Sequence, residues 1–255
     1  IGCGMTAMFF PAAQLDGDLG AVDKTIRDTI PLGFNVYGDH GEPEQTFDLA
    51  TDFPWHRCRK ALAEYDHDTD VQYGAAYAQE VCERVGADYN RVERSLGTLG
   101  GGNHFIELAT GRRDDERACI IHSGSRSLGL KIAEYWQDRA TEYIDTETVW
   151  QNAPDELLGY MDADGMPDYE AIKRDYDGEK IAEVGDRIKS LHPDGGRNTD
   201  LDYLEGDLID GYVRDMVFAQ TYAFVNRKRM LTRIADALGV IPAPFINSTH
   251  NYIDF

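Results

Sequence analysis

Cysteine is scarce in this chain. Cys3, Cys58, Cys82 and Cys119 are the four among 255 residues, and their irregular spacing is not that of a disulfide framework. A reducing, cytoplasmic setting is expected, with Cys58, Cys82 and Cys119 as buried, inert thiols. Long apolar runs are also missing. No stretch approaches the roughly 20 residues that a membrane span requires, and no signal-peptide pattern opens the chain. Membrane is therefore not an expected partner. Cations are outnumbered, with 25 Lys and Arg against 46 Asp and Glu and a formal charge of −21. The acidic excess is spread along the chain, so the surface as a whole repels long polyanions at low salt. It suits a host with a very salty cytoplasm, where the Debye length falls to about 3 Å at 1 M; an ordinary acidic protein is the alternative. There is no internal repeat and no low-complexity tract. With 42% hydrophobic residues, the chain can bury the core of one large domain or two small ones.

Against this background, four short motifs stand out. They are Gly-Cys-Gly-Met at 2–5, Gly-Gly-Gly-Asn-His-Phe-Ile-Glu at 100–107, His-Ser-Gly-Ser-Arg at 122–126 and Ser-Thr-His-Asn-Tyr at 248–252. Each sets Cys3, His104, His122 or His250 among glycines or small polar residues, where backbone can approach an ion or a phosphate. Ligands this far apart in sequence do not make a zinc finger. A fold that gathers them builds a site of the catalytic kind. His40, His56, His67 and His192 lie in acidic contexts and are expected in solvated loops.

Periodicity places the motifs at the ends of elements. Residues 33–55 read as loops with short strands. A helix is expected over 68–85, carrying Val71, Ala75, Ala78, Val81 and Val85, with Asp68 or Thr69 as its cap. The glycine-rich turn at 97–102 leads into a strand from Phe105 to Ala109, and a strand from Arg117 to Ile121 ends at His122. The loop after His122 passes into a helix with Leu128, Ile132, Tyr135, Trp136 and Ala140 on one face. The acidic, weakly periodic stretch 145–206 is expected as a surface insertion of short helices and loops in a single catalytic domain. A long helix spans about 207–238, closed by Gly239 and Pro242. Phe245 and Ile246 form a strand that delivers His250.

The chemistry of these residues converges on phosphate and metal. Imidazole suits manganese and zinc, while thiolate favours zinc, so both metals stay open. One thiolate and three imidazoles hold one ion, or two if the sulfur bridges them, and a two-metal site suits reactions at phosphorus. Asn103 and Glu107 flank His104; the amide can donate to a phosphate oxygen, and the carboxylate can accept from a guanine edge or a ribose hydroxyl. Arg126, on a Ser/Gly loop, is suited to a bidentate grip on phosphate. Two cationic clusters, Arg227-Lys228-Arg229 and Arg57, Arg59 with Lys60, are candidates for a basic track or for solvated helix faces.

The run Leu96-Gly-Thr-Leu-Gly-Gly-Gly-Asn-His-Phe-Ile-Glu107, with His122-Ser-Gly-Ser-Arg126, Ser248-Thr-His-Asn251 and Gly2-Cys-Gly-Met5, closely resembles the RtcB family of RNA-splicing ligases. Phe218 to Arg227 resembles that family's long-helix signature. The resemblance implies an α/β (α+β) fold of the RtcB type, with sheets and flanking helices around a buried metal-binding cleft. It implies two Mn²⁺ ions and GTP, used to join an RNA 3′-phosphate or 2′,3′-cyclic phosphate to a 5′-hydroxyl, as in transfer RNA splicing or RNA repair. It further implies that Cys3 bridges the two metals, with His104 on one and His122 and His250 on the other. Asn103, Glu107 and Asn251 would contact the nucleotide, and Arg126 phosphate or RNA. RNA ends are the implied partners, with archease as a further one.

The family's metal-binding aspartate would precede Ile1, and its guanylylated histidine lies in a Ser-His-Gly-Ala-Gly-Arg element not found here. The chain therefore reads as an internal piece of a longer protein, inactive alone. Two other functions use the same ligands: a metal-dependent phosphoesterase acting on cyclic phosphates, and a non-catalytic paralogue that binds RNA ends.

Overall fold

A computed structural model gives the fold and describes residues 1–15, 18–65, 71–111, 113–193, 198–241 and 245–250. The expected cap at Asp68 or Thr69, His67, Pro242 and Asn251 lie outside the described residues. The fold is α+β: eight helices and one four-stranded antiparallel sheet among the described residues. The chain divides into two compact units, residues 1–134 with 210–255, and residues 135–209.

The sheet belongs to the first unit. Its strands are β1 (Gly4–Pro11), β2 (Phe105–Thr110), β3 (Glu116–Ser123) and β4 (Phe245–Thr249), in the order β2-β3-β1-β4. Alternation along β1 explains its central place: Thr6, Met8 and Phe10 are buried, whereas Met5, Ala7 and Phe9 on the other face are partly covered or exposed. Met8, Phe10, Cys119 and Ile121 of the inner face pack into one core with Met230, Leu231, Ile234 and Ala235. Those four come from the long helix α8 (Asp207–Leu238), which lies within the range read from sequence. Gly239 (φ 66°) ends it: Gly239 N–H donates to Asp236 and Val240 N–H to Ala235, the paired bonds of a Schellman stop.

The other helices are α1 (Leu19–Thr29), α2 (Trp55–Glu64), α3 (Ala75–Arg84), α4 (Tyr89–Ser95), α5 (Arg126–Asn152), α6 (Tyr169–Asp175) and α7 (Glu179–Lys189). Several expectations need correction. Residues 33–55 contain no strand; an isolated bridge pairs Leu32, just before them, with Gly100. α3 begins after Gly74, so Val71 precedes it. α5 runs to Asn152, into the stretch read as an insertion from 145, because Val149 is buried in the second unit's core with Leu157, Met161, Ile172, Val184 and Ile188. His56 sits on α2 rather than in a loop, and the half-buried His192 donates from Nε2 to the carbonyl of Gly165 at 3.2 Å. No helix of the described residues is long and apolar enough to cross a membrane.

Candidate metal centre

The antiparallel order explains how four remote motifs meet. Neighbouring strands reverse direction, so the starts of β1 and β2 and the ends of β3 and β4 all fall at one edge of the sheet. Gly4 lies opposite Ser123 on one side and Thr249 on the other, and Phe105 lies opposite His122. Cys3 and His104 each precede the first residue of a strand, His122 is the last but one of β3, and His250 follows β4. The register thus sets His104, His122, Cys3 and His250 in a row, and His250 N–H donates to the carbonyl of Cys3 at 3.0 Å.

The side chains converge as well. Cys3 Sγ is 3.3 Å from His122 Nε2 and 3.7 Å from His104 Nε2, and His122 Nε2 is 3.4 Å from His250 Nε2. Cys3, His122 and His250 offer ligand atoms within 4.8 Å of one another. Two backbone carbonyls fix the histidine tautomers. His122 Nδ1 donates to Asn103 and His104 Nδ1 donates to Leu99, each at 2.9 Å. In the neutral rings both Nε2 atoms therefore keep their lone pairs and aim them at Cys3. Lone pairs this close repel one another unless a proton or a metal cation lies among them. The donor set of a sulfur and three imidazole nitrogens fits a divalent metal ion. Burial, opposed by the Leu99 hydrogen bond, holds His104 below the ordinary histidine value and favours the form that ligates.

Two adjacent polar residues of α8 brace this edge from within the core. Arg227 is fully buried. Its Nη1 donates to the carbonyls of Gly2 (3.0 Å) and Ser123 (2.9 Å), the neighbours of Cys3 and His122. Its Nε donates to Thr6 Oγ1 at 3.0 Å, and its Nη2 to Asn247 Oδ1 at 3.0 Å, three residues before His250. One planar fork thus ties together three of the ligand-bearing segments. Burial lowers its pKa to about 10, opposed by the charge of Cys3, so it stays cationic at neutral pH. Asn226 accepts from the amides of Gly97 and Thr98 and donates to the carbonyls of Thr98 and Gly124. Arg227 is therefore no part of a basic track. The sequence signal for both residues is an Asn-Arg pair on a helix face otherwise made of Met216, Ala219, Ala223 and Met230.

Arg126 occupies the first position of α5 with φ 57°, rare for a residue with a side chain. Its Nε donates to Thr98 Oγ1 and its Nη2 to the carbonyl of Gly33, each at 2.8 Å. Nη1 has no protein partner among the described residues. Gly100 (φ 94°) makes this possible: a Cβ there would collide with Nη1 of Arg126 and Nδ1 of His104. Arg126, Arg91, His104, Gly101 and Gly102 line a cavity of about 440 Å³. Asn103 and Glu107 are exposed, Glu107 lying across from Ile120 on β3. The remaining thiols, Cys58, Cys82 and Cys119, are free and buried away from this edge.

The whole chain, residues 1–255, matches the family described as tRNA-splicing ligase RtcB. It is similar to "RNA-splicing ligase RtcB1" of Escherichia coli, 24% identical over 270 residues that cover 99% of this chain and 51% of that protein. It is also similar to "RNA-splicing ligase RtcB" of Escherichia coli strain K12, 26% identical over 63% of this chain and 31% of that protein. The chain thus spans about half the length, or less, of the curated relatives it matches. By the match along its entire length, the chain belongs to the RtcB tRNA-splicing ligase family.

Proposed function

We propose that the protein containing this chain is a GTP- and manganese-dependent RNA ligase of the cytoplasm. It would join an RNA 3′-phosphate or 2′,3′-cyclic phosphate to a 5′-hydroxyl. The observation that carries this reading is the convergence of Cys3, His104, His122 and His250 at one sheet edge, in a chain whose family and relatives are named as RNA ligases.

Cys3, His104, His122 and His250 would hold the metal. A pair of divalent ions supplies positive charge that polarises phosphate oxygens and activates an attacking oxygen. The chain's own residues do the positioning. Arg126, anchored through Nε and Nη2, presents Nη1 to the cavity, where a phosphate oxygen replaces the missing protein acceptor. Arg91 lines the same cavity and adds a second positive charge. Asn103, held through its carbonyl by His122, turns its exposed amide to solvent beside the cradle, where it would contact the nucleotide with Glu107 and Asn251. The second unit, 135–209, carries none of these residues, and the stretch 145–206 within it is read as an insertion into one catalytic domain.

The test is joining by the full-length protein. An RNA ending in a 3′-phosphate and another starting with a 5′-hydroxyl are incubated with manganese, with and without GTP. A joined product that requires GTP supports the ligase. Opening of a cyclic phosphate without joining, at equal rates with and without GTP, shows a phosphoesterase instead. Binding without either reaction shows a paralogue that only holds RNA ends.

A further inference from the structure

The first unit carries a second feature that none of the site residues uses, a cationic groove between α2 and α8. Two adjoining cavities of about 460 and 450 Å³ share His56, Arg57 and Phe224 in their walls and form one trough. Arg57, Lys228, Arg229 and Arg233 line the first part, and Lys60 joins Arg57 in the second. Both clusters noted in the sequence thus contribute to one channel, less the buried Arg227 and Arg59, which lines neither part and donates from Nη1 to the carbonyl of Tyr73. Asp52, Asp236 and Glu64 also line it, so cations still prevail, in a chain with a formal charge of −21.

Among the described residues, none of Arg57, Lys60, Lys228, Arg229 or Arg233 has a carboxylate within ion-pair distance. Arg229 Nε and Arg233 Nη1 are buried with no hydrogen-bond acceptor. Aromatic rings are interleaved with the charges. Arg57 lies over Phe224 at 4.2 Å, Arg229 over Phe47 at 4.4 Å and Lys228 over Phe245 at 5.7 Å.

A row of cations with the half-buried ring of Phe224 among them suits a single-stranded nucleic acid, whose phosphates pair with the former while a base stacks on the latter. The groove also has a direction. Its second part is walled by Asn247 and Thr249 of β4, and Thr249 is bonded to His250 of the metal centre.

We infer that the trough between α2 and α8, walled by Arg57, Lys60, Lys228, Arg229 and Arg233, binds single-stranded RNA and leads its end along β4 to His250. The inference rests on the ligase reading for what happens at the end of the path, but not for the path itself. It also resolves how so acidic a chain handles a polyanion: the strand is gripped in one lane and repelled elsewhere.

The experiment uses the full-length protein and the variant Arg57→Gln/Lys60→Gln/Lys228→Gln, which alters exposed side chains only. Binding of a labelled single-stranded RNA with a 3′-phosphate is measured across a salt series, alongside bound metal, thermal unfolding and joining. The variant should keep its metal and melting temperature but bind about tenfold more weakly. Its log–log salt dependence should be shallower by about two, since each lost phosphate contact on a single strand removes about 0.7. Ligation by wild type with unchanged RNA affinity and salt slope in the variant overturns the groove and leaves the ligase reading standing. Weaker RNA binding by the variant, in a protein that ligates nothing, supports the groove and removes the ligase reading. If the variant loses affinity for poly-glutamate while RNA binding is untouched, the trough takes an acidic polypeptide and the inference is wrong.

Discussion

Arg227 Nη1 donates to the carbonyl of Ser123 at 2.9 Å, so a fully buried guanidinium on α8 holds the residue that follows His122. The same nitrogen reaches the carbonyl of Gly2, which precedes Cys3. A cation in the core, with no carboxylate paired to it among the described residues, is placed where it braces the segments that carry Cys3, His122 and His250.

That bracing predicts two separable effects of substitution. Arg227→Met takes the guanidinium donor from the carbonyls of Gly2 and Ser123 and leaves the Asn247 oxygen with Thr6 alone, and should cost about 3 kcal/mol in chemical denaturation. Arg227→Lys retains the charge but not the fork. It should cost less stability, yet weaken metal binding by about tenfold or more, as loss of a group that orients ligands does. Metal titration of a folded Arg227→Lys protein checks this; wild-type affinity would show that the fork does not position the ligands.

Gly100 and Gly102 offer a matched pair, because both have positive φ (94° and 70°) but differ in surroundings. Ala at Gly102 meets nothing within 4 Å, so it should cost only about 1–2 kcal/mol of backbone strain and leave metal affinity unchanged. Ala at Gly100 adds a collision with Arg126 and His104, and should reduce metal binding as well. Equal metal affinity in the two variants would show that Gly100 serves the backbone alone.

Acid should destabilise the metal-free protein through His104, whose folded-state pKa lies below its ordinary value of 6.5. Well above pH 6.5 the ring is neutral in both folded and unfolded chains and contributes no pH dependence. As pH falls below 6.5, the unfolded chain takes up the proton first, so stability declines until the folded ring titrates too. Denaturation of His104→Asn from pH 7.5 to 5 should show a shallower decline than wild type. Parallel curves would remove His104 as the source.

Cobalt(II) gives a readout of the sulfur that needs no turnover. Bound through Cys3, it should show a thiolate-to-metal charge-transfer band, lost in Cys3→Ser and kept in Cys82→Ser. Burial pushes the Cys82 thiol up to about 11 and the Cys58 and Cys119 thiols up to about 12, so none of these supplies a thiolate at neutral pH. Because the ligands must be deprotonated, affinity should fall as pH is lowered. A band that persists in Cys3→Ser would place the metal elsewhere.

Local pattern and local chemistry are legible in the chain before it folds. Apolar spacing marks α8 to its ends, since a long amphipathic helix with a glycine stop is specified by its own residues. The Gly- and Ser-rich contexts single out Cys3, His104, His122 and His250, because such turns are needed wherever backbone bends sharply at the end of a strand. The N-terminal strand β1 is not marked this way. Met5, Ala7 and Phe9 are as apolar as Met8 and Phe10, so alternation is hidden by a sheet face left partly covered. The buried role of Arg227 is likewise invisible, since a residue code does not tell whether a guanidinium meets water or four carbonyl and side-chain oxygens.

Residue order alone specified the candidate ligands, the ends of β2, β3 and β4 beside three of them, and the helix that backs the sheet. Tertiary structure decided that β2, β3, β1 and β4 lie side by side in antiparallel register, which is what carries imidazoles 18 and more residues apart to one edge. It also decided that Arg227 turns inward while Lys228 and Arg229 turn toward α2. These outcomes depend on pairing between distant segments, whose free energy arises only when the strands and α8 bury their shared face together.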